Sequence, residues 1–176
     1  MILDGKKESA LLREEIKKEI LEIKIRTNKS PGLSVILIGD FAPSQIYVKN
    51  KEKNSKEVGI TSEVIKYSKE VKESEILEKI EELNNNDNVS GILVQLPLPA
   101  HISKEKIINT IKPSKDVDGF HPINVGNLSL GYKSIIPCTP LGCLLLIKNV
   151  EKNLTGKHAV IIGRSNLNGK PMAQLL

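Results

Sequence analysis

The stretch Gly91-Ile92-Leu93-Val94-Gln95 is a short, uninterrupted apolar run that ends in an amide. Such a run, with no polar residue to face water, is typical of a central parallel strand that is covered on both faces. Two earlier strands are predicted over residues 33–38 and 60–66, and a polar turn is predicted over residues 84–88. Helical segments separate the strands, and this alternation predicts an α/β fold with an open, mostly parallel sheet.

The helices of this fold are predicted from apolar residues that recur at helical spacing over residues 8–26, 73–83 and 102–111. Another helix is predicted between the first two strands, with Ser44 at or near its N-cap and a stop at Gly59. Ligands of open α/β sheets gather at the carboxyl ends of the strands. The residues that follow each strand are therefore the first candidates for a functional site.

Composition narrows the class of protein. The 176 residues are 39% hydrophobic with a net charge of +5, and no apolar run approaches the roughly 20 residues that span a bilayer. The positive charge is spread along the chain and aromatic residues are few, which argues against nucleic-acid binding and suits an anionic metabolite. Cys138 and Cys143 make neither a disulfide framework nor a metal site. Without an apolar signal segment, a cytosolic protein is expected.

Lys51 is a candidate catalytic residue because of its place on the helix after the first strand. Tyr47, Lys51, Ser55 and Val58 fall on one face, since positions three and four apart stack, and this face is predicted to turn inward. An inward lysine loses hydration, which disfavours the charged form and moves the pKa towards neutrality. Such an amine can pass protons when a polar partner holds it. The alternative is that Lys51 keeps its ammonium in water and lays its stem along apolar neighbours.

Gln95 is the candidate partner of that amine. It ends the apolar strand just before Leu96-Pro97-Leu98-Pro99, and the first strand leads directly into the Lys51 helix. Because the strands are parallel, their carboxyl ends lie at the same edge, so the amide is expected near Lys51 and able to orient it without adding charge. The alternative is an ordinary strand-end amide that satisfies the backbone of the turn.

Asp116 and Asp118 flank Val117 and close on Gly119. This pattern suits a turn cap, and as a metal site it is poor because it lacks a third oxygen ligand or a paired histidine. A carboxylate presented to a pocket can instead bind an amidine-like edge, such as that of a 2-amino-pterin, through paired hydrogen bonds. His121, which precedes a proline, is expected to be structural.

Six motifs occur in order along the chain: Leu3-Asp4-Gly5-Lys6, Pro31-Gly32-Leu33 with Gly39-Asp40, Ser44 with Tyr47-Val48 and Lys51, Val94-Gln95-Leu96-Pro97-Leu98-Pro99, Lys115-Asp116-Val117-Asp118-Gly119, and Pro137-Cys138-Thr139-Pro140. Together they resemble the bifunctional methylenetetrahydrofolate dehydrogenase/methenyltetrahydrofolate cyclohydrolase family over essentially the whole chain. Each motif alone is weak, but six in register make a chance match very improbable.

This resemblance implies oxidation of 5,10-methylenetetrahydrofolate with NADP, hydrolysis of the methenyl product to 10-formyltetrahydrofolate, and a homodimer. It implies that Lys51 is the catalytic lysine, that Tyr47 stacks on the folate, that Gln95 tunes Lys51 and that Asp118 anchors the pterin edge. The implied folate cleft is lined by Tyr47, Val48, Lys49, Asn50, Lys51, Val94, Gln95, Leu96 and Asp118.

The resemblance also divides the chain into a folate-binding catalytic domain over residues 1–138 and a partial NADP-binding Rossmann-type domain over residues 139–176. In the second part, Thr139 is expected to cap a helix over residues 141–150, and a strand is predicted over residues 156–163. Gly163, Arg164 and Ser165 then resemble the phosphate loop of the NADP site. Backbone N–H groups at a helix start suit phosphate, and the arginine suits a ribose 2′-phosphate.

The chain is shorter than the resemblance implies, so a truncated product or a fragment is expected. Its cyclohydrolase chemistry is then predicted to survive in weakened form, because the chemical residues all precede Gly119, while little NADP reduction is expected because the nicotinamide has no pocket. One alternative is a non-catalytic, folate-binding remnant. Another is the Tyr/Lys pair of a short-chain dehydrogenase, formed by Tyr47 and Lys51, but the glycine-rich loop that should precede such a pair is missing from residues 33–40.

Overall fold

A three-stranded parallel sheet with strand order β2-β1-β3 organises the computed structural model, which describes residues 2–176. The elements are α1 (Gly5–Thr27), β1 (Gly32–Ile38), α2 (Ala42–Val58), β2 (Thr61–Tyr67), α3 (Glu73–Asn84), β3 (Gly91–Val94), α4 (Lys104–Thr110), α5 (Pro122–Ser129), α6 (Cys138–Lys148) and α7 (Gly169–Leu175). The predicted first domain begins at residue 1, which lies outside this range. The α/β class and the parallel sheet are confirmed.

The sheet is covered on both faces, as the apolar strands require. On one face, strand residues such as Ile36 and Ile92 form a core with α3 and α4. On the other, Val35, Leu37 and Leu93 pack against Val48 of α2. All four residues of β3 are buried, although β3 lies at the edge of the sheet and not at its centre as predicted. Its outer side is protected by a single bridge from Ile92 to Asp116.

The helix α2 begins earlier than the sequence indicates. Its N-cap is Phe41, so Ser44, predicted at or near the N-cap, is the third residue of the helix and not the cap itself. Ser44 lies inside the first turn, where it is buried and its hydroxyl donates to the Leu96 carbonyl. The predicted stop is confirmed, since Gly59 has a left-handed φ of 94° that favours glycine.

The helix α3 ends one residue later than predicted, because Asn84 belongs to the helix and not to the polar turn over residues 84–88. Asn84 is the last helical residue and is buried, with its amide donating to the Thr110 carbonyl and accepting from the Lys112 N–H. The Lys115 ammonium donates to the carbonyls of Leu83 and Asn86 at 3.0 and 2.8 Å. These contacts fasten the segment after α4 to the end of α3. The cost of burying the ammonium, with the nearby charge of Lys112, lowers the pKa of Lys115.

Residues 122–176 contain the largest departures from the sequence prediction. The helix α5 was not predicted; His121 caps it, with Nδ1 accepting from the Ile123 N–H at 3.1 Å. The helix α6 starts at Cys138, so the prediction of a Thr139 cap is wrong. The predicted strand over residues 156–163 is not formed, and Ile162 is fully exposed. A strand is defined by its ladder of hydrogen bonds to a neighbour, and within residues 2–176 this segment pairs with none.

Among the described residues, no helix combines the length and the apolar character that a bilayer crossing requires.

Candidate active site

The first contact of the candidate site joins α2 to the end of β3. The Lys51 Nζ donates to the Gln95 Oε1 at 3.2 Å, and both residues are partly buried. The two residues are 44 positions apart in the sequence, and the parallel pairing of β1 with β3 brings them together. The predicted proximity of Lys51 and Gln95 is therefore found in the structure.

The Gln95 amide has a defined orientation. Its Nε2 donates to the Leu96 carbonyl at 2.8 Å, so its Oε1 faces the lysine amine. The same carbonyl accepts from the Ser44 hydroxyl at 3.3 Å, which ties the start of α2 to the chain after β3. An acceptor held this way fixes one N–H of the amine and leaves its other positions for substrate.

The inward face of α2 is rotated relative to its prediction. Its buried residues are Ser44, Val48, Ser55 and Val58, with Lys51 partly buried beside them. Tyr47 is 63% exposed, so the prediction that it belongs to the inward stripe is wrong. Its ring stands one helical turn before Lys51 at the surface, where a ligand can reach it.

The predicted cleft residues fall into different environments. The side chains of Val48 and Val94 belong to the two apolar cores on either face of the sheet, which leaves only their backbone for a ligand. Lys49 borders a separate cleft of about 490 Å³ shared with Glu52 and Lys66. The exposed Asn50 follows it on the same helix. The structure therefore brings Lys51, Gln95 and Leu96 together but places the side chain of Lys49 elsewhere.

The two aspartates of the third motif have different environments. Asp116 is buried, and its Oδ2 accepts from the backbone N–H of His121 at 2.8 Å and from the Asn124 amide at 3.0 Å. Asp118 is only partly buried and takes part in none of the ion pairs of residues 2–176. The first aspartate is thus committed to the fold, and the second is available to a ligand.

Asp118 lies in the field of the Lys51 ammonium. Burial raises the pKa of the Asp118 carboxyl, the positive charge of Lys51 opposes that rise, and the negative charge of Asp116 adds to it. The carboxylate therefore stands in a partly desolvated place where a cationic or hydrogen-bond-donating ligand edge gains most from pairing with it.

Cys138 is the nearest thiol to this group. Its Sγ lies 3.8 Å from the Val117 carbonyl, at the start of α6. Loss of hydration and the charge of Asp118 raise the pKa of the Cys138 thiol, although the residue as a whole is exposed. Because the thiolate is the nucleophilic form, this environment argues against covalent catalysis by Cys138.

The candidate phosphate loop is formed, with its polar side chains at the surface. Gly163 has a φ of 138°, and Gly169 approaches its carbonyl so closely that a Cβ there would overlap it. The Ser165 hydroxyl accepts from the Asn168 N–H at 3.1 Å, and the Arg164 guanidinium is exposed. The close approach shapes the loop, and the exposed guanidinium suits a phosphate group. The described residues contain no group of three or more His, Cys, Asp or Glu side chains that could hold a metal ion.

Sequence reasoning missed two polar residues that support the site, Ser44 and Asn124. Serine commonly occupies the N-cap, so the sequence places Ser44 at or near that position and gives no sign of its bond to Leu96. Asn124 lies on α5, whose start has a usable signal: Pro122 stands at a first-turn position, where proline is favoured. Nothing in the sequence indicates that the Asn124 amide is buried against Asp116.

Family models match both parts of the chain. The catalytic domain of tetrahydrofolate dehydrogenase/cyclohydrolase matches residues 3–118, and the NAD(P)-binding domain of the same family matches residues 137–176.

Individual relatives agree with these matches. The chain is 65% identical to the bifunctional protein FolD of Pelagibacter ubique over 176 residues, which are 100% of this chain and 63% of that relative. The crystal structure of the FolD enzyme from Campylobacter jejuni superposes with a TM-score of 0.96 at 50% identity, covering 99% of this chain and 62% of that one. The Trypanosoma brucei FolD structure, complexed with NADP cofactor and inhibitor, gives 0.91 at 32% identity, covering 99% and 60%. The chain thus spans less than two thirds of the length of these relatives.

Proposed function

This chain belongs to the tetrahydrofolate dehydrogenase/cyclohydrolase family, and on that premise we propose that it carries the folate site of a one-carbon enzyme. The proposed reactions are the NADP-dependent oxidation of 5,10-methylenetetrahydrofolate and the hydrolysis of the resulting methenyl cation to 10-formyltetrahydrofolate. The observation that carries the proposal is the hydrogen bond from the Lys51 amine to the fixed Gln95 amide, within the field of Asp118.

Hydrolysis needs a group that can both accept and return a proton. A water oxygen bonds to the methenyl carbon and gives up a proton, and a tetrahedral adduct forms. The bond from that carbon to N5 of the pterin then breaks, its electron pair goes to N5, and N5 takes up a proton. The second proton of the water is released to solvent as the formyl group forms. An amine beside the carbon can serve both proton transfers.

In this scheme Lys51 handles the protons and Gln95 holds it. The Gln95 Oε1 accepts one N–H of Lys51 at 3.2 Å without adding a charge that would keep the amine protonated. Lys51 is therefore proposed as the catalytic residue and Gln95 as the residue that orients it.

Asp118 is proposed to bind the pterin edge, and Tyr47 to stack on the folate ring system. The support for Asp118 is its partial burial and its freedom from ion pairs, in contrast to Asp116. The support for Tyr47 is its exposed position one turn from Lys51. Backbone groups of Val48, Lys49, Val94 and Leu96, with the exposed Asn50, complete the proposed lining.

NADP is the proposed hydride acceptor. The residues present fit its phosphate end: the exposed Arg164 and Ser165 stand beside the start of α7, and Arg164 can pair with a 2′-phosphate. When bound, NADP would accept the hydride from the methylene carbon.

The boundary between the folate-binding domain and the NADP-binding domain is proposed to lie between residues 138 and 139. The family resemblance also implies a homodimer, which sedimentation of the purified protein tests, and a cytoplasmic location, which cell fractionation tests.

The decisive test compares two lysines of the same helix. The 176-residue chain with Lys51→Met is expected to hydrolyse methenyltetrahydrofolate about 100-fold or more slowly, because it loses its general acid–base group. The matched control is Lys53→Met, which removes the same charge from an exposed position of α2 and should keep the parent rate. Loss of the methenyl absorbance measures both rates.

The same preparation separates the competing functions. Hydrolysis with little NADP reduction is expected from these 176 residues, because the segment over residues 156–163 pairs with no strand there. If the parent chain and Lys51→Met have equal rates, the proposed role of Lys51 is wrong. Folate binding without turnover, followed by tyrosine fluorescence, would instead support a folate-binding module.

A further inference from the structure

Asn124 and Asp116 form a buried polar pair beneath the proposed folate site. Asn124 is 5% exposed and Asp116 is 3% exposed. The Asn124 Nδ2 donates to the Asp116 Oδ2 at 3.0 Å and to the Pro113 carbonyl at 2.9 Å. One amide group thus links the start of α5 to two points of the segment that carries Asp118.

That segment is held tightly on either side of Asp118. The Gly119 N–H donates to the Asp116 carbonyl at 3.2 Å, which closes a turn with Asp118 between the two. Gly119 has a φ of 68°, and its Cα lies so close to the backbone of residues 135–137 that a Cβ would overlap the Ile135 carbonyl. On the other side, Ile92 of β3 donates to the Lys115 carbonyl at 2.7 Å. The direction of the Asp118 side chain therefore depends on where Asp116 is fixed.

We propose that Asn124 is a positioning residue of the folate site: through its bond to Asp116 it holds the turn that presents Asp118 to the pterin. This inference rests on the proposed function and adds a residue that does not touch the substrate. Without the Asn124 amide, the Asp116 carboxylate keeps the N–H of His121 as its remaining donor, so the turn is held less firmly and Asp118 meets the pterin edge at poorer geometry. Two parallel hydrogen bonds are sensitive to such a shift.

Charge gives a way to test this dependence. In Asn124→Asp, a second carboxylate faces Asp116 across the present 3.0 Å contact. Two carboxylates this close do not both ionise readily, and a shared proton restores their hydrogen bond at low pH. The other charged or titratable groups near the two aspartates are Lys51 from α2, Lys104 from α4, Cys138 from α6 and His121, whose N–H donates to Asp116 and whose ring caps α5. None of these is changed in the variant.

The experiment measures the dissociation constant of tetrahydrofolate, under nitrogen, for the parent chain and Asn124→Asp at pH 8 and pH 5.5. We expect the variant to bind about tenfold more weakly at pH 8, the size of one lost hydrogen bond to a charged group, with the ratio to the parent falling towards one at pH 5.5. The matched control is Asn127→Asp, which adds the same charge to α5 one turn further on. Its ratio should stay near one at both pH values.

Circular dichroism confirms that each sample is folded, so that the dissociation constant refers to folded protein. A role confined to stability would lower the folded fraction without weakening binding by the folded molecules. Asn124→Ala removes the donor without adding charge and is measured in parallel; it replaces Asn124→Asp if that variant does not fold at pH 8. Unchanged binding by the folded variant would overturn the inference.

Asp118→Asn separates this inference from the proposed function. If Asp118→Asn weakens tetrahydrofolate binding and Asn124→Asp does not, the proposed site stands and the positioning role of Asn124 is wrong. If Asp118→Asn leaves binding unchanged, the proposed pterin anchor itself is wrong, and with it the inference.

Discussion

Two apolar segments of similar composition have opposite fates in this chain. Gly91–Val94 forms β3, with all four residues buried. The segment over residues 159–163, which includes Val160, Ile161 and Ile162, forms no strand, and Ile162 is fully exposed. The difference lies in their neighbours: β3 pairs with β1 and is covered by helices, whereas the second segment pairs with no strand of the described residues.

An apolar run therefore forms a strand only when another part of the chain supplies the partners for its backbone hydrogen bonds. The polar residues that follow the two segments also differ in how firmly they are held. The carboxyl end of β3 carries Gln95, whose amide is fixed by the Leu96 carbonyl and by Lys51. The end of the second segment carries Arg164, which is exposed to solvent.

The largest expected difference is in stability. Ile92→Ala should lower the free energy of unfolding by about 2–5 kcal/mol, because it leaves a cavity in a packed core. Ile92 is 1% exposed and Ile162 is 100% exposed, so Ile162→Ala is the matched control and should change the stability of this chain by less than about 0.5 kcal/mol. Urea denaturation measures both values. Equal losses of stability in the two variants would contradict the difference in burial between the two segments.

Two glycines with similar backbone angles test how much a close neighbour, near the site, adds to the cost of a substitution. Gly119→Ala should cost about 2–3 kcal/mol, because its Cβ would overlap backbone atoms in addition to the strain of a positive φ. Gly131 has a similar φ of 73° but open space around it, so Gly131→Ala should cost only about 1 kcal/mol. Thermal unfolding of the two variants checks the difference. A loss of stability at Gly131 as large as that at Gly119 would show that the positive φ alone determines the cost of the substitution.

Gln95→Glu tests the neutral character of the partner at the end of β3. A carboxylate opposite Lys51 stabilises the charged form of the amine, so the pH–rate profile of methenyl hydrolysis should move to higher pH. Gln45→Glu is the control, because it adds the same charge at an exposed position of α2 whose amide donates to the Asp40 carbonyl. A profile that does not move would mean that Gln95 acts without affecting the protonation of Lys51.

The smallest expected effect is a gain in stability in Asp118→Asn. Burial raises the pKa of Asp118 in the folded chain, so ionisation of this carboxyl destabilises the fold as the pH rises through the folded pKa. The variant is spared that cost, and its advantage in thermal midpoint should be largest above the folded pKa. It should vanish below about pH 4, where the carboxyl is protonated in both folded and unfolded chains. A variant that is less stable at neutral pH would contradict this.

The same variant should bind folate more weakly, which is the opposite sign of its effect on stability. Such a pair of effects is what a residue retained for binding produces. Asp116→Asn is not expected to show this pair of effects: it weakens the contacts of His121 and Asn124 that hold the turn, so stability and folate binding should both fall.

Several features followed from the sequence alone. The alternation of helical and apolar segments predicted the α/β fold, and the parallel strand ends predicted that Gln95 and Lys51 would meet, as their 3.2 Å contact shows. The first prediction succeeds because periodicity is a local property that a short window of residues reports, and the second because a helix between consecutive strands makes them parallel. The six ordered motifs identified the family, which the family models confirm.

Other features were decided only by the tertiary structure. The rotation of α2 that exposes Tyr47, the burial of Asn124 against Asp116 and the absence of a strand over residues 156–163 cannot be read from local sequence. In each case the outcome depends on which distant backbone or side-chain group is available to pair with a buried polar atom or a strand edge. Local sequence fixes what a segment can form, and the partners supplied by the rest of the chain decide whether it forms.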